Sequence, residues 1–379
     1  MLELQERAAR SRRWILRSAL ALGTLAALGI ACADTPERTE TRGASQALGA
    51  ALKWTVASSE PFIDLAPKSD GSVLATTRRS VLAIDPAGNK TVLFEDKGKE
   101  SVGPPHVLEG VDGFLVRTTK GAVVHDAAGA KTASLSLGTN EYARLIPGSL
   151  GTFAPHARST DPENGSVDEG RVFSETGVLA AKFPSDGLLQ SRTTKSSVFW
   201  ATRSSLTKTK LDGGEVWSAP IAAHRFETDA VGRFFAVNRT GDTRVLELYE
   251  ESNLIGKSTF DAPLWNVAIA PNGIYAAACS KKVLRLFKGG KLVATIPLAG
   301  VYPVSLDVSE RGDVLLGTQD ERKKTTGVSL FDASGAAVWN ASFDEDTNAY
   351  RPDVRFMPDG KGFFVRGKAG ISFYAMEGV

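Results

Sequence analysis

Residues 264–297 read LWNVAIAPNGIYAAACSKKVLRLFKGGKLVATIP. An apolar segment ends at Asn272-Gly273, the run Ile274-Tyr275-Ala276 follows, and a second turn at 288–290 precedes another apolar segment. Asn-Gly pairs tolerate positive φ and mark tight hairpins. Continuous apolar runs mark strands covered on both faces. The stretch therefore reads as strand, turn, strand, strand, turn, strand.

Both turns recur along the chain. The first appears at Asp70-Gly71, Asp112-Gly113, 148–151, 194–196, Val231-Gly232, Asn272-Gly273, Arg311-Gly312 and Asp359-Gly360. The second appears out of phase at 85–88, 126–129, 175–177, 212–214, 250–253, 288–290, 332–335 and Glu377-Gly378. Gly88 and Gly378 lie 290 residues apart over seven steps, a period of about 41 that suits a four-stranded propeller blade. The expected fold is all-β: a single β-propeller of eight four-stranded blades, with seven as the alternative count. The chain has 379 residues, 37 of them glycine and only 3 methionine, with 42% apolar content, as a large all-β body full of tight turns requires.

Ring closure tests the count independently. The last unit runs out after its third strand, while Lys53-Trp54-Thr55-Val56, ahead of the first unit, resembles the outer strands Val216-Trp217-Ser218-Ala219 and Val338-Trp339-Asn340-Ala341. Both termini are expected in one blade, which removes exposed sheet edges.

Residues 1–31 read as an export signal. Ser11-Arg12-Arg13-Trp14-Ile15-Leu16-Arg17 resembles the twin-arginine consensus, with Arg12 and Arg13 as the pair, and the apolar run 19–31 is too short for a bilayer span of roughly 20 residues. Ala31-Cys32 resembles a lipobox with Cys32 as the lipidated residue, and ordinary cleavage after Cys32 and Ala33 is the rival ending. Residues 32–49 form a flexible tether and 50–379 the propeller. Removing 1–31 takes five Arg and two Glu and leaves 40 basic against 41 acidic residues, which argues against a nucleic-acid partner. With Cys32 and Cys279 as the two cysteines, a disulfide framework is excluded, and Cys279 reads as a buried apolar residue.

Asp332, Gly335 and Trp339, and more loosely Asp212, Gly213 and Trp217, resemble the Asp, Gly, Trp repeat of the quinoprotein-like (PQQ/WD40-like repeat) β-propeller superfamily; Asp85 and Gly88 repeat the turn with Val92 in the Trp place. The resemblance implies an eight-bladed ring in which Trp packs between blades. Its quinone-dependent dehydrogenases carry adjacent cysteines at the cofactor, which this chain lacks. Its noncatalytic relatives include lipoproteins that help assemble outer-membrane barrels.

No catalytic signature occurs, and His106, His125, His156 and His224 fall on different units without ligand spacing, so no catalytic residue, metal or cofactor is assigned. Two insertions interrupt the repeat between second and third strands, on the rim shared with the links between blades. One, 157–170, carries Asp161, Glu163, Asp168 and Glu169; the other, 319–327, carries Arg322, Lys323 and Lys324. These are the candidate binding loops, whose opposite charges could grip a partner. The expectation is a monomeric, exported, membrane-anchored propeller that binds or scaffolds proteins in the bacterial cell envelope. The alternative is a propeller enzyme (hydrolase, lyase or quinoprotein-like oxidoreductase), with acids drawn from Asp64, Glu109, Asp229, Asp307 and Asp353 converging on the axis.

Overall fold

The computed structural model describes residues 49–98, 101, 103–137, 143–157, 167–184, 190–202, 204–239, 241–298, 300–320, 322–344, 351–368 and 370–378. Their regular structure is entirely strands, in eight antiparallel sheets of four. Blades 1 to 7 are residues 64–95, 106–136, 144–184, 190–219, 223–259, 264–297 and 302–344; blade 8 is 353–377 together with Gly49–Val56. The count of eight is therefore the observed one. The innermost strands neighbour one another in chain order, and Asp353–Phe356 of blade 8 returns to Asp64–Pro67 of blade 1, closing the ring.

Closure works through the outer strand of blade 8. Gly49–Val56 pairs antiparallel with Gly370–Glu377, from Gly49 opposite Glu377 to Val56 opposite Ile371. In all eight blades the pairing of third and outer strands carries an irregularity, at Leu52/Trp54 in this case. Such bulges increase local twist.

The repeated turn between third and outer strands explains the Asp and Gly of the pattern. Asp85 Oδ1 accepts the Ala87 and Asn89 amides at 2.9 and 2.8 Å, and Gly88 sits at φ 87°, where a side chain is strained. Serial hydrogen bonds hold the Asp85 carboxyl below its ordinary range. Asp126 and Asp332 make the same turn. Each such turn receives the outer strand of the preceding blade. A Cβ on Gly88 would lie 2.9 Å from the Trp54 ring, and Trp54 Nε1 donates to Pro86 O at 3.0 Å. Trp217 likewise donates to Glu251 and stacks on Phe235, and Trp339 packs on Phe363 and Tyr374. Trp therefore packs between blades, in three of them. Elsewhere smaller contacts serve: Leu93 against Gly129, Ala181 against Gly213 and Ala294 against Gly335.

Two local readings need correction. The first turn of blade 2 is centred on Glu109-Gly110, with Val111 N donating to Leu108 O, whereas Gly113 already begins the next strand. Residues 319–327 form no irregular loop: Gln319 pairs with Thr326 and Asp320 with Thr325, so the strands extend into a tight hairpin that leaves only its tip unpaired. β-Branched Thr325 and Thr326 favour that extension.

Cys279 is fully buried in the second strand of blade 6, and burial pushes its thiol up to about 12. In native buffer it should resist maleimide and react only once the protein is unfolded in denaturant; labelling at equal rates in both states would contradict the packing. Trp54→Ala should lower the free energy of unfolding by about 2–4 kcal/mol in urea titrations, because it removes a large aromatic and its hydrogen bond across the closure. The exposed Trp265→Ala should cost less than about 1 kcal/mol.

Candidate functional site

The innermost strands enclose an axial channel of about 750 Å³. It is lined by polar and charged side chains because alternate residues of each innermost strand face the axis. Most of these side chains reach the neighbouring blade. Arg144 donates to Ser191 O, Arg192 Nε to Glu227 at 3.1 Å, Arg225 to Trp265 O, Asn266 to Pro303 O, Ser305 to Pro352 O, and Arg366 to Phe62 O. Asp307 accepts the Phe356 amide at 2.7 Å from the next blade and that of Val308 on its own strand. These bonds form a belt of side chains stitching blade to blade, satisfying backbone groups that face the channel.

Four of the five acids named from the sequence meet around one cation. Asp64, Glu109, Asp307 and Asp353 surround Arg355; burial by itself disfavours its charge, but the four carboxylates outweigh burial and hold it protonated. Burial raises the Asp307 and Asp64 carboxyls above their ordinary range, opposed at Asp64 by His106 and at Asp307 by Arg355. Glu109 keeps an exposed surface on its turn, yet desolvation by the surrounding protein, reinforced by Asp307, pushes its carboxyl up to about 7. Glu109 lies in the turn after His106–Val107, not on an innermost strand. Asp229 does not join the group: it lies past Ala223–Thr228 and caps its own turn, accepting the Arg233 and Phe234 amides at 2.8 and 3.1 Å.

The histidines scatter. His106 lines the channel, His125 stacks on Phe114 at 4.8 Å, His224 is exposed, and His156 lies in Thr152–Ala157. Among the described residues no group of three or more His, Cys, Asp or Glu forms a metal site. Arg12, Arg13, Cys32, Asp161 and Glu163 lie outside the described residues, and Asp168 lies in Val167–Phe173. Glu169 pairs with Lys182 of its own blade at 3.2 Å. Arg322, Lys323 and Lys324 stand exposed at the hairpin tip of blade 7, half the ring away from blade 3, and residues 158–166 of the other insertion lie outside the described residues.

One rim feature was not singled out from the sequence. Trp265 is the second residue of the innermost strand of blade 6, Leu264–Ile269, and is 38% exposed; Tyr302 begins that of blade 7, with ring centroids 5.5 Å apart. Lys281 Nζ, from the hairpin between the second and third strands of blade 6, stands 4.5 Å over the Tyr302 ring. An aromatic residue where other innermost strands begin with a polar or small residue was the available signal. A smaller recess of about 400 Å³, lined by Ile63, Asp64, Pro104, Pro105, His106 and Arg117 among others, opens on the same rim.

No family model matches the chain, and no curated protein matches it in sequence. Solved structures match its fold. The C-terminal WD40 domain of Sif2 superposes with a TM-score of 0.64 at 9% identity, covering 86% of this chain and 98% of that one. BamB from Moraxella catarrhalis gives 0.54 at 10% identity, covering 85% and 100%. Hsv2p from Kluyveromyces lactis gives 0.51 at 10% identity, covering 75% and 97%. At such identities the likeness is one of architecture: the chain is an eight-bladed β-propeller of the kind shared by WD40 domains and BamB.

Proposed function

We propose that this protein is a binding or scaffolding propeller of the bacterial cell envelope, exported through its Arg12-Arg13 signal, anchored by lipidated Cys32, and engaging a protein partner on its rim. The observation that carries the reading is the contact of exposed Trp265 with half-buried Tyr302 on the rim. Large aromatics left in solvent at a loop-bearing surface mark interaction sites, because they bury much area for little loss of side-chain freedom. The axial belt supports it too: the channel's charges are engaged in holding blades together, which leaves the rim as the surface available to a partner. The fold shared with WD40 domains and BamB agrees with a binding role, and the lipobox-like Ala31-Cys32 supports the anchor.

Mass spectrometry of the protein purified from its own host, before and after Cys32→Ser, tests the anchor. A lipid-sized excess that disappears in the variant, together with release from the membrane fraction, is the expected result. An unmodified chain beginning at Asp34 would remove the anchor from the reading.

A second reading, a propeller enzyme with an axial site, is favoured by one group, Glu109, whose carboxyl titrates near 7 beside Arg355 as a general acid or base requires. The raised value has a consequence for stability. The folded protein holds this proton more tightly than the unfolded chain, where the carboxyl titrates near 4.5. The stabilisation from Glu109 is thus complete below that value and is lost as pH rises through about 7. The thermal midpoint should fall across this window in the native protein, and Glu109→Gln should flatten part of the fall. Parallel profiles for the two proteins would show that Glu109 does not titrate there and would remove the enzymatic reading's strongest support.

A further inference from the structure

Blades 5, 6 and 7 share a device that the other five lack. The pairing of innermost and second strands skips a residue near its start, between Ala223 and Arg225, between Leu264 and Asn266, and between Pro303 and Ser305. The corresponding pairings in blades 1, 2, 3, 4 and 8 are regular. The extra residues are His224, Trp265 and Val304. A bulge re-aims the side chain it carries, and here it leaves His224 and Trp265 exposed at the rim.

Around this sector the hairpins between second and third strands are basic. Lys281 and Lys282 cap blade 6, and Arg322, Lys323 and Lys324 cap blade 7, all exposed. Lys323 approaches Asp320 only to 3.8 Å. Among the described residues no carboxylate pairs with Lys281, Lys282, Arg322 or Lys324, while Arg225 is held by Trp265 O. Lys281, Lys282, Arg322 and Lys324, which meet no carboxylate among the described residues, stand on the hairpins of the two blades that carry exposed Trp265 and half-buried Tyr302, and this combination favours an anionic partner carrying apolar groups.

Strand direction fixes the face at which the chain enters the propeller. The chain joins it at Gly49, opposite Glu377, on the face of the Asp-Gly turns, and runs through the outer strand of blade 8 to Val56 at the opposite rim, the rim that carries Trp265.

We propose that the rim of blades 5 to 7 binds an extended acidic segment of a protein partner, with carboxylates on Lys281, Lys282, Arg322 and Lys324 and an apolar side chain against Trp265 and Tyr302. This rests on the rim-binding reading and specifies its sector and chemistry.

The test uses the full exported chain carrying Cys32→Ser and a fluorescent peptide of four Glu-Glu-Phe repeats, with the Gln-for-Glu peptide as control and phosphatidylglycerol vesicles as the membrane probe. The acidic peptide should bind, weaken with added salt, and lose at least about tenfold in affinity when Lys281, Arg322 and Lys324 are all changed to Glu. Trp265→Ala should weaken it about three- to tenfold, whereas Arg78→Glu with Lys120→Glu, on the same rim at blades 1 and 2, should leave it unchanged. All substituted positions are exposed, and unchanged thermal midpoints confirm folding. Equal peptide affinity in the triple variant, or vesicle binding with the same sensitivity and no peptide binding, overturns the proposal. Photo-crosslinking in the host from position 302 and from position 120 separates the two levels of inference: adducts from 120 alone overturn this sector and leave a rim binder, and adducts from neither overturn both.

Discussion

The pairing of Gly49–Val56 with Gly370–Glu377 is the contact on which the ring depends. Without it the third strand of blade 8 would present unpaired backbone groups, and the junction of the first and last blades would lose its outer part. The pairing places Trp54 where it also grips the turn of blade 1 through Gly88 and Pro86. One strand thus completes a sheet and fixes the angle between the two blades that the chain must bring together from its ends.

Two concentric sets of contacts then hold the ring. At the perimeter, the outer strand packs on the Gly of the next blade's turn at six of the eight junctions, through Gly88, Gly129, Gly177, Gly213, Gly290 and Gly335, and the positive φ of those glycines provides the close approach. Toward the axis, side chains reach across the junctions from blade 3 to blade 4 and from blade 5 round to blade 1 to backbone carbonyls and amides. Between them lie apolar clusters that span neighbouring blades, such as the one joining Leu286 and Ala277 of blade 6 with Leu316 and Val314 of blade 7. Burial supplies the cohesion, and the polar belt sets register, because a slip of one residue would leave charged groups in the channel unpaired.

The same economy bears on function. Arg355 and its four surrounding carboxylates are the most concentrated charge in the described molecule, yet Asp307 spends its oxygens on backbone amides and Asp353 lies within reach of both Arg355 and Arg366. Glu109 alone of the four has neither a hydrogen bond nor an ion pair among the described residues. The rim differs: Lys281, Lys282, Arg322 and Lys324 meet no carboxylate among the described residues, and a bulge leaves Trp265 exposed. A surface built that way has unspent interaction energy, which the channel lacks.

The architecture was legible in the sequence because each element is local. Asp-x-x-Gly turns, apolar runs of three or four residues and a fixed repeat of about 41 are dictated by neighbours in the chain, and eight turns in each series fixed the number of blades. The terminal strand was legible too, since Trp54-Thr55-Val56 repeats the Trp, polar, apolar order of Trp217-Ser218-Ala219 and Trp339-Asn340-Ala341. The acids of the axis were recognised as a set, but their company was not: that Asp64, Asp307 and Asp353 share Arg355, while Asp229 merely caps its turn, depends on how far each strand runs before it turns. The rim sector was likewise decided only in three dimensions. A bulge is a one-residue difference between two strands and leaves no mark in either strand alone, and Trp265, Tyr302 and Lys281 lie on three segments that only closure of the ring brings side by side.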